Sequence, residues 1–318
     1  MKKILFLGLV FLSACFQKGP DGKLIFTEAN SQKGFNFPFF LFIPDEMPTE
    51  KTAVLIVEPN NSGFADDDFQ RHIEKAERIA SRDFYMGNFL AGELDCPLLV
   101  PVFPRRKSTW RIYSHALDRD VMLQKGNDLE RIDLQLINMI DDARSTLKDM
   151  GCRVDDQVFL TGFSASGSFV NRFAAIHPEL VKGVAGGGVN GLLILPEDSV
   201  EGEALNFPLG VNDFDSLFNK PFALDAFAKT PQFLFMGQLD DNDAIPYEDG
   251  YNIKERKQVF RLLGEEMQPK RWEACDSIYQ SHNINARIRT FENVGHEQPD
   301  NVKEEVLSFF RSLMAIVP

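Results

Sequence analysis

Short apolar runs of β type recur along this chain at 37–43, 53–57, 97–103, 158–160, 181–185, 233–236 and 286–291, and helix-length segments separate most of them. Segments 68–90, 128–150, 168–176, 253–266 and 301–312 carry apolar residues at helical spacing, as in Leu129, Ile132, Leu136, Ile137 and Ile140. Such alternation restricts the chain to an α/β architecture, a mainly parallel central sheet with helices on both faces. Ligands of such sheets collect at the carboxyl ends of the strands, so a site is expected on the loops after Val57, Phe103, Leu160, Ala185, Met236 and Phe291. Segment 192–230 interrupts the pattern with Pro196, Pro208, Pro221 and a series of phenylalanines, and reads as a lid-like insertion. Phenylalanine occurs 29 times in 318 residues, which fits either an apolar or aromatic ligand or simply a core built from Phe.

Where the apolar run Val158-Phe159-Leu160 gives way to a helical pattern, the chain reads Gly162-Phe163-Ser164-Ala165-Ser166-Gly167. A serine between small residues at a strand-to-helix turn can take the strained backbone that lifts its hydroxyl clear of a sheet, the form of a nucleophile elbow. Ser166 stands where G-x-S-x-G has its last glycine, and Gly167 follows it.

A serine hydroxyl needs a base within hydrogen-bond reach, and the base needs a third group to hold its tautomer. Of the five histidines, His296 follows a strand-like run and a glycine. His177 precedes the proline that stops a helix and reads as structural. His72 and His282 fall in polar surroundings and read as solvated. Phe233-Leu234-Phe235-Met236-Gly237-Gln238-Leu239-Asp240 is an apolar run closed by Gly and an acid, which makes Asp240 the expected orienting carboxylate, with Asp243 as the alternative. Nucleophile, acid and base then follow in the order Ser164, Asp240, His296, each at the end of an expected strand.

On these residues, with Glu58-Pro59-Asn60-Asn61-Ser62-Gly63, the chain resembles the α/β-hydrolases over about residues 36–313. It looks like the esterase, polyhydroxyalkanoate-depolymerase and feruloyl-esterase-like branch, and in particular like bacterial secreted hydrolases. The resemblance implies a Ser164, Asp240, His296 triad acting through an acyl-enzyme, no cofactor, and a small-molecule or polymeric ester as substrate. An acyl peptidase or thioesterase would use the same groups. A surface lipoprotein that keeps the fold to bind carbohydrate or protein is the reading from another class. Ala165 is the expected first oxyanion donor through its backbone amide, and Asn60 or Asn61 the second, because Pro59-Asn60-Asn61 replaces the His-Gly pair of many esterases. The long loop 104–127 offers Arg105, Trp110, Tyr113 and His115 for substrate, and Gly186-Gly187-Gly188-Val189-Asn190-Gly191 adds Asn190. His115-Ala116-Leu117-Asp118 is not read as a metal site, and no metal is expected.

Lys2, Lys3, an apolar stretch from Ile4 to Leu12 and then Leu12-Ser13-Ala14-Cys15 form a secretory signal over 1–14 that resembles the bacterial lipobox. Cys15 is expected to be lipidated, with 15–23 as its tether and 24–318 as one domain. Acyl chains contribute about 0.8 kcal/mol per buried methylene, so two or three would hold the protein at the membrane. Phe16 is not the aspartate that marks inner-membrane retention in some bacteria, which points to the outer membrane or cell surface. Cys96, Cys152 and Cys275 remain, an odd set with no metal-like spacing. The net charge of -13, without a clustered basic face, argues against nucleic acid as a partner and against binding to anionic lipid by charge.

Overall fold

The protein is described here as a computed structural model, which covers residues 19–48, 50–248 and 250–315. The expected signal segment and the lipidation position Cys15 lie outside the described residues. The strands are β1 (Gly22–Thr27), β2 (Phe39–Pro44), β3 (Ala53–Val57), β4 (Leu98–Pro101), β5 (Val154–Phe163), β6 (Val181–Gly187), the small pair β7 (Ser199–Val200) and β8 (Glu203–Ala204), β9 (Gln232–Gly237) and β10 (Ala286–Phe291). Eight of them form one sheet in the order β1-β2-β4-β3-β5-β6-β9-β10. From β4 through β10 all neighbours run parallel, and β2 is antiparallel to both β1 and β4.

The helices are α1 (Phe69–Ser81), α2 (Met86–Leu94), α3 (Arg119–Met122), α4 (Ile132–Asp149), α5 (Ala165–Ile176), α6 (Phe214–Phe218), α7 (Leu224–Lys229), α8 (Ile253–Leu263), α9 (Trp272–Ser281) and α10 (Asp300–Met314). Successive strand side chains point to opposite faces, and both faces here are apolar. Leu55 and Val57 of β3 belong to one apolar cluster with Leu136, Met139 and Phe169 of α4 and α5, whereas Val54 and Ile56 belong to another with Ile79, Leu90 and Val306 of α1, α2 and α10. This is the doubly covered sheet that the alternation of runs implies.

Several elements differ from the sequence reading. The expected helix 68–90 is two helices, because Arg82 is extended at φ -130° and a turn from Arg82 to Tyr85 separates them. The expected tether is shorter, since β1 begins at Gly22 and pairs with β2 from Gly22 opposite Pro44. Helix α9 was not expected at all. All three described cysteines that follow the signal are free, and Cys96 and Cys275 are buried.

His177, at the end of α5, accepts the structural role read for it. Its Nε2 lies 2.9 Å from Oδ2 of Asp133, which is fully buried on α4 and is also held by Arg131 through Nε at 2.9 Å and Nη2 at 2.7 Å. Burial opposes ionisation of Asp133, but the hydrogen bonds from Arg131 and His177 win and hold its carboxyl down at about 2. Removing one partner of a buried ionic cluster leaves the others unpaired. Asp133→Ala is therefore expected to cost about 3–5 kcal/mol in urea unfolding; a loss under about 1 kcal/mol would show that the cluster contributes little.

Candidate active site

Ser164 is the single residue between β5 and α5. It sits at φ 61°, ψ -125°, a conformation that costs a non-glycine residue about 1–3 kcal/mol and persists only when its surroundings enforce it. Here they do. Its N–H donates to the Gly187 carbonyl at 2.8 Å, and Ser166 Oγ both accepts from the Phe163 N–H and donates to the Phe163 carbonyl, each at 2.9 Å. Ser166 thus ties the turn together. The glycines this turn requires are Gly162 and Gly167: a Cβ on the first would lie 2.3 Å from the Ser166 carbonyl oxygen, and on the second 2.4 Å from that of Gly187.

The loops after β9 and β10 are joined by the Leu239 N–H donating to the Val294 carbonyl at 2.8 Å. They bring Asp240 and His296 together, with His296 Nδ1 2.9 Å from Asp240 Oδ2. Asp240 is 6% exposed, and its Oδ1 accepts the Asn242 N–H at 3.0 Å. The alternative acid, Asp243, faces elsewhere: its Oδ2 lies 2.5 Å from Nη2 of the fully buried Arg271. The His296 ring is 4.6 Å from that of Phe163 between centroids, and a Cβ on Gly188 would come within 2.9 Å of its Cε1. That places the imidazole beside the turn carrying Ser164.

Because a carboxylate can only accept, the Nδ1 facing Asp240 carries the hydrogen and Nε2 presents its lone pair. Asn242 Nδ2 lies 3.1 Å from that Nε2. The Asn242 amide thus occupies the acceptor position that a serine proton would need.

Two cavities, of about 560 and 530 Å³, meet here and share Asn61, Gly63, Ser164 and His296. Ala165 lines the larger one, and as the first residue of α5 its N–H has no partner within the helix. Asn61 lines both, with Nδ2 donating to the Phe163 carbonyl at 3.3 Å. The side chain of Asn60 does not reach the cavities: it is fully buried, accepts the Phe103 N–H and donates to the Phe103 carbonyl, both at 2.9 Å.

Tyr113 and Asn190 line the larger cavity. Trp110 and His115 line neither. Trp110 is exposed beside Arg111, and His115 is buried with Nε2 2.8 Å from the Phe103 carbonyl oxygen. Burial pushes the His115 imidazole down to about 3, so it stays neutral. His72 is fully buried, not solvated, bonded through Nδ1 to Ser62 Oγ at 2.7 Å, and His282 pairs with Glu197 at 2.8 Å. No residue of 192–230 lines either cavity, so the segment is not a cover in this structure; Phe207, Phe214, Phe218 and Phe227 are buried in the core. The rest of the larger cavity's lining comes instead from residues such as Arg105 and Arg172 and from much of the segment Asp241 to Tyr251, of which Asp249 lies outside the described residues.

Neither a family model nor a curated protein matches this sequence. Solved structures do. The chain is similar to poly(aspartic acid) hydrolase-1 from Sphingomonas sp. KT-1, with 16% identity, a TM-score of 0.58, and 92% of this chain and 98% of that one covered. It is similar also to a poly(3-hydroxybutyrate) depolymerase from Bordetella parapertussis, with 14% identity, a TM-score of 0.55 and 94% of both chains covered. This is the α/β-hydrolase fold. An S-formylglutathione hydrolase from Agrobacterium tumefaciens shares the fold at 12% identity and a TM-score of 0.52, with 96% of this chain and 98% of that one covered.

Glu58, directly after β3, lines the smaller cavity, and the sequence reading gave it no role of its own. Burial pushes its carboxyl up to about 7, against the Gly87 N–H at 2.6 Å and the charges of Lys75 and Lys303. A carboxyl near 4.5 unfolded and about 7 folded binds its proton more tightly in the fold, so its contribution to stability is present below pH 4.5 and lost as pH rises through about 7. Glu58→Gln removes that dependence. Its melting temperature relative to wild type is expected to rise by at least about 2 °C between pH 5 and pH 8; a difference that stays flat would mean that Glu58 titrates like an exposed acid.

Proposed function

We propose that the protein is a serine hydrolase that cleaves carboxylic esters through an acyl-enzyme, with Ser164 as nucleophile, His296 as base and Asp240 as the group that orients His296. The observation that carries this reading is the Asp240–His296 pair at 2.9 Å together with a serine held at φ 61°, with Ser164 and His296 both at the junction of two cavities. A binding protein has no need of a strained serine that shares a cavity lining with an imidazole held by a buried acid. The names of the structural neighbours, two hydrolases and a depolymerase, lend support to the same reading.

Substrate entry displaces the Asn242 amide from His296 Nε2, which then takes the Ser164 proton as Oγ attacks the carbonyl carbon. The tetrahedral oxygen receives hydrogen bonds from the Ala165 N–H and from Asn61, the member of the Asn pair that lines the cavities. His296 returns the proton to the departing alcohol, and water repeats the sequence to release the acid. Asp240 stabilises the imidazolium in both halves.

A fluorophosphonate probe is expected to label Ser164 and to leave the Ser164→Ala variant unlabelled. Asp240→Asn is expected to lower kcat for a nitrophenyl ester by about 10³–10⁴, as it leaves His296 in the wrong tautomer. Labelling at another serine, or an Asp240→Asn enzyme within tenfold of wild type, would sink the assignment.

Cys15 completes the proposal as a lipid anchor holding the catalytic domain at the cell envelope. An alkynyl fatty acid supplied to the producing cells should appear on the protein and vanish from Cys15→Ser, which should move to the soluble fraction. A label that survives in Cys15→Ser would refute the anchor.

A further inference from the structure

The larger cavity holds a charge that the proposed reaction does not use. Arg172 lies two turns after Ser164 on α5 and is 3% exposed, yet it lines the cavity. Its Nη1 donates to the Ala116 carbonyl at 2.7 Å and its Nη2 to the Tyr251 hydroxyl at 2.5 Å; it forms no ion pair with any described carboxylate. The acids that act on it from neighbouring elements are engaged elsewhere. Asp118 accepts the Val121 N–H at 2.9 Å, Glu255 accepts the Asn252 N–H at 2.8 Å, and burial pushes both carboxyls up, Asp118 to about 7. Asp243 belongs to Arg271, and Asp241 is exposed at the rim.

A buried guanidinium balanced by one carbonyl and one phenol is a charge only partly compensated. The Tyr251 hydroxyl accepts from Arg172, which leaves its own hydrogen to be donated, and Tyr251 lines the same cavity. Arg105 adds a second guanidinium to this wall, 3.6 Å from the Tyr113 ring centroid. A chain of net charge -13 repels anions at long range, so an anion can be selected only by such short-range donors.

We propose that the larger cavity binds a carboxylate of the substrate through Arg172 and the Tyr251 hydroxyl, so that the preferred substrates are esters carrying a free carboxylate. The inference rests on the ester-hydrolase reading and adds the substrate class. It accounts for why the lining of the larger cavity includes Arg172, Arg105 and Tyr251 when the Phe-rich segment supplies none of it.

The test is a comparison of kcat/KM, for the full chain at pH 7, on two matched pairs of esters. One pair carries the charge on the acid part, 4-nitrophenyl hydrogen adipate against 4-nitrophenyl hexanoate; the other carries it on the alcohol part, 4-carboxyphenyl hexanoate against phenyl hexanoate. Each rate is divided by the alkaline hydrolysis rate of the same ester. In one pair the anionic member should be favoured by about ten- to a hundredfold, the range of a hydrogen bond to a charged group, and that pair identifies the half of the substrate that enters the cavity. Arg172→Met should bring the ratio to about one and Arg172→Lys should keep part of it, following the loss of a fork of donors. A ratio taken within one variant does not depend on how much of it folds, and Tyr251→Phe, which should lower the ratio, serves if Arg172→Met gives no folded protein. Turnover that requires Ser164 but shows no anionic preference in either pair, or a preference that survives in Arg172→Met, overturns this inference alone. Absence of any turnover requiring Ser164 overturns the hydrolase reading and this inference with it.

Discussion

The close approach of two backbones at the end of the central strands is what the rest of the site depends on. With α5 starting one residue after β5, the Ser164 N–H must reach the Gly187 carbonyl, and Gly167 must lie against that same oxygen with no side chain between. Everything that follows is measured from that contact. It holds Ser164 at the lining of both cavities, brings Ala165 to the larger one with an N–H that has no partner within the helix, and leaves Gly188 close against the His296 ring. The hydrogen bonds of Ser166 to Phe163 close the turn from inside, which explains how serine serves where the commoner pattern has glycine.

Much of the fold was legible because the signals were local. Apolar runs that are buried on both faces, such as Ala53–Val57, read as strands without help from the rest of the chain. Strand β1 was not legible, since Gly22–Thr27 is an edge strand half open to solvent and owes its conformation to β2. The break between α1 and α2 depends on one extended residue, Arg82, in a stretch whose apolar spacing continues through it. His72 misled for a similar reason: its sequence neighbours are polar, but Ser62 and the Asp66 carbonyl reach it from a preceding loop.

At the site, the neighbourhood of Ser164, Asp240 and His296 was legible because each lies on the turn or loop that follows a strand, and the end of an apolar run can be read from the sequence. The walls were not. Arg172 lies in the middle of a helix, Asn242 in an acidic turn and Glu58 at an ordinary strand end, and none has a local pattern that reports what it faces. Trp110 and His115 had the right chemistry on the right loop, but the loop turns His115 inward onto Phe103 and Trp110 outward. Asn60 and Asn61 are adjacent and chemically identical, and only the third dimension assigns one to the core and the other to the cavities.

The meeting of two cavities at one hydroxyl bears on how the fragments of a severed molecule would depart. Ser164 and His296 belong to the lining of both, so the scissile bond would lie on their common boundary and each fragment would be housed in a separate chamber. In the proposed acyl-enzyme, the first fragment would leave from a chamber other than the one that holds the fragment still attached to Ser164. Under that proposal, water would reach the serine through the vacated chamber while the attached fragment stays in the other, so the two halves of the reaction would not compete for one space.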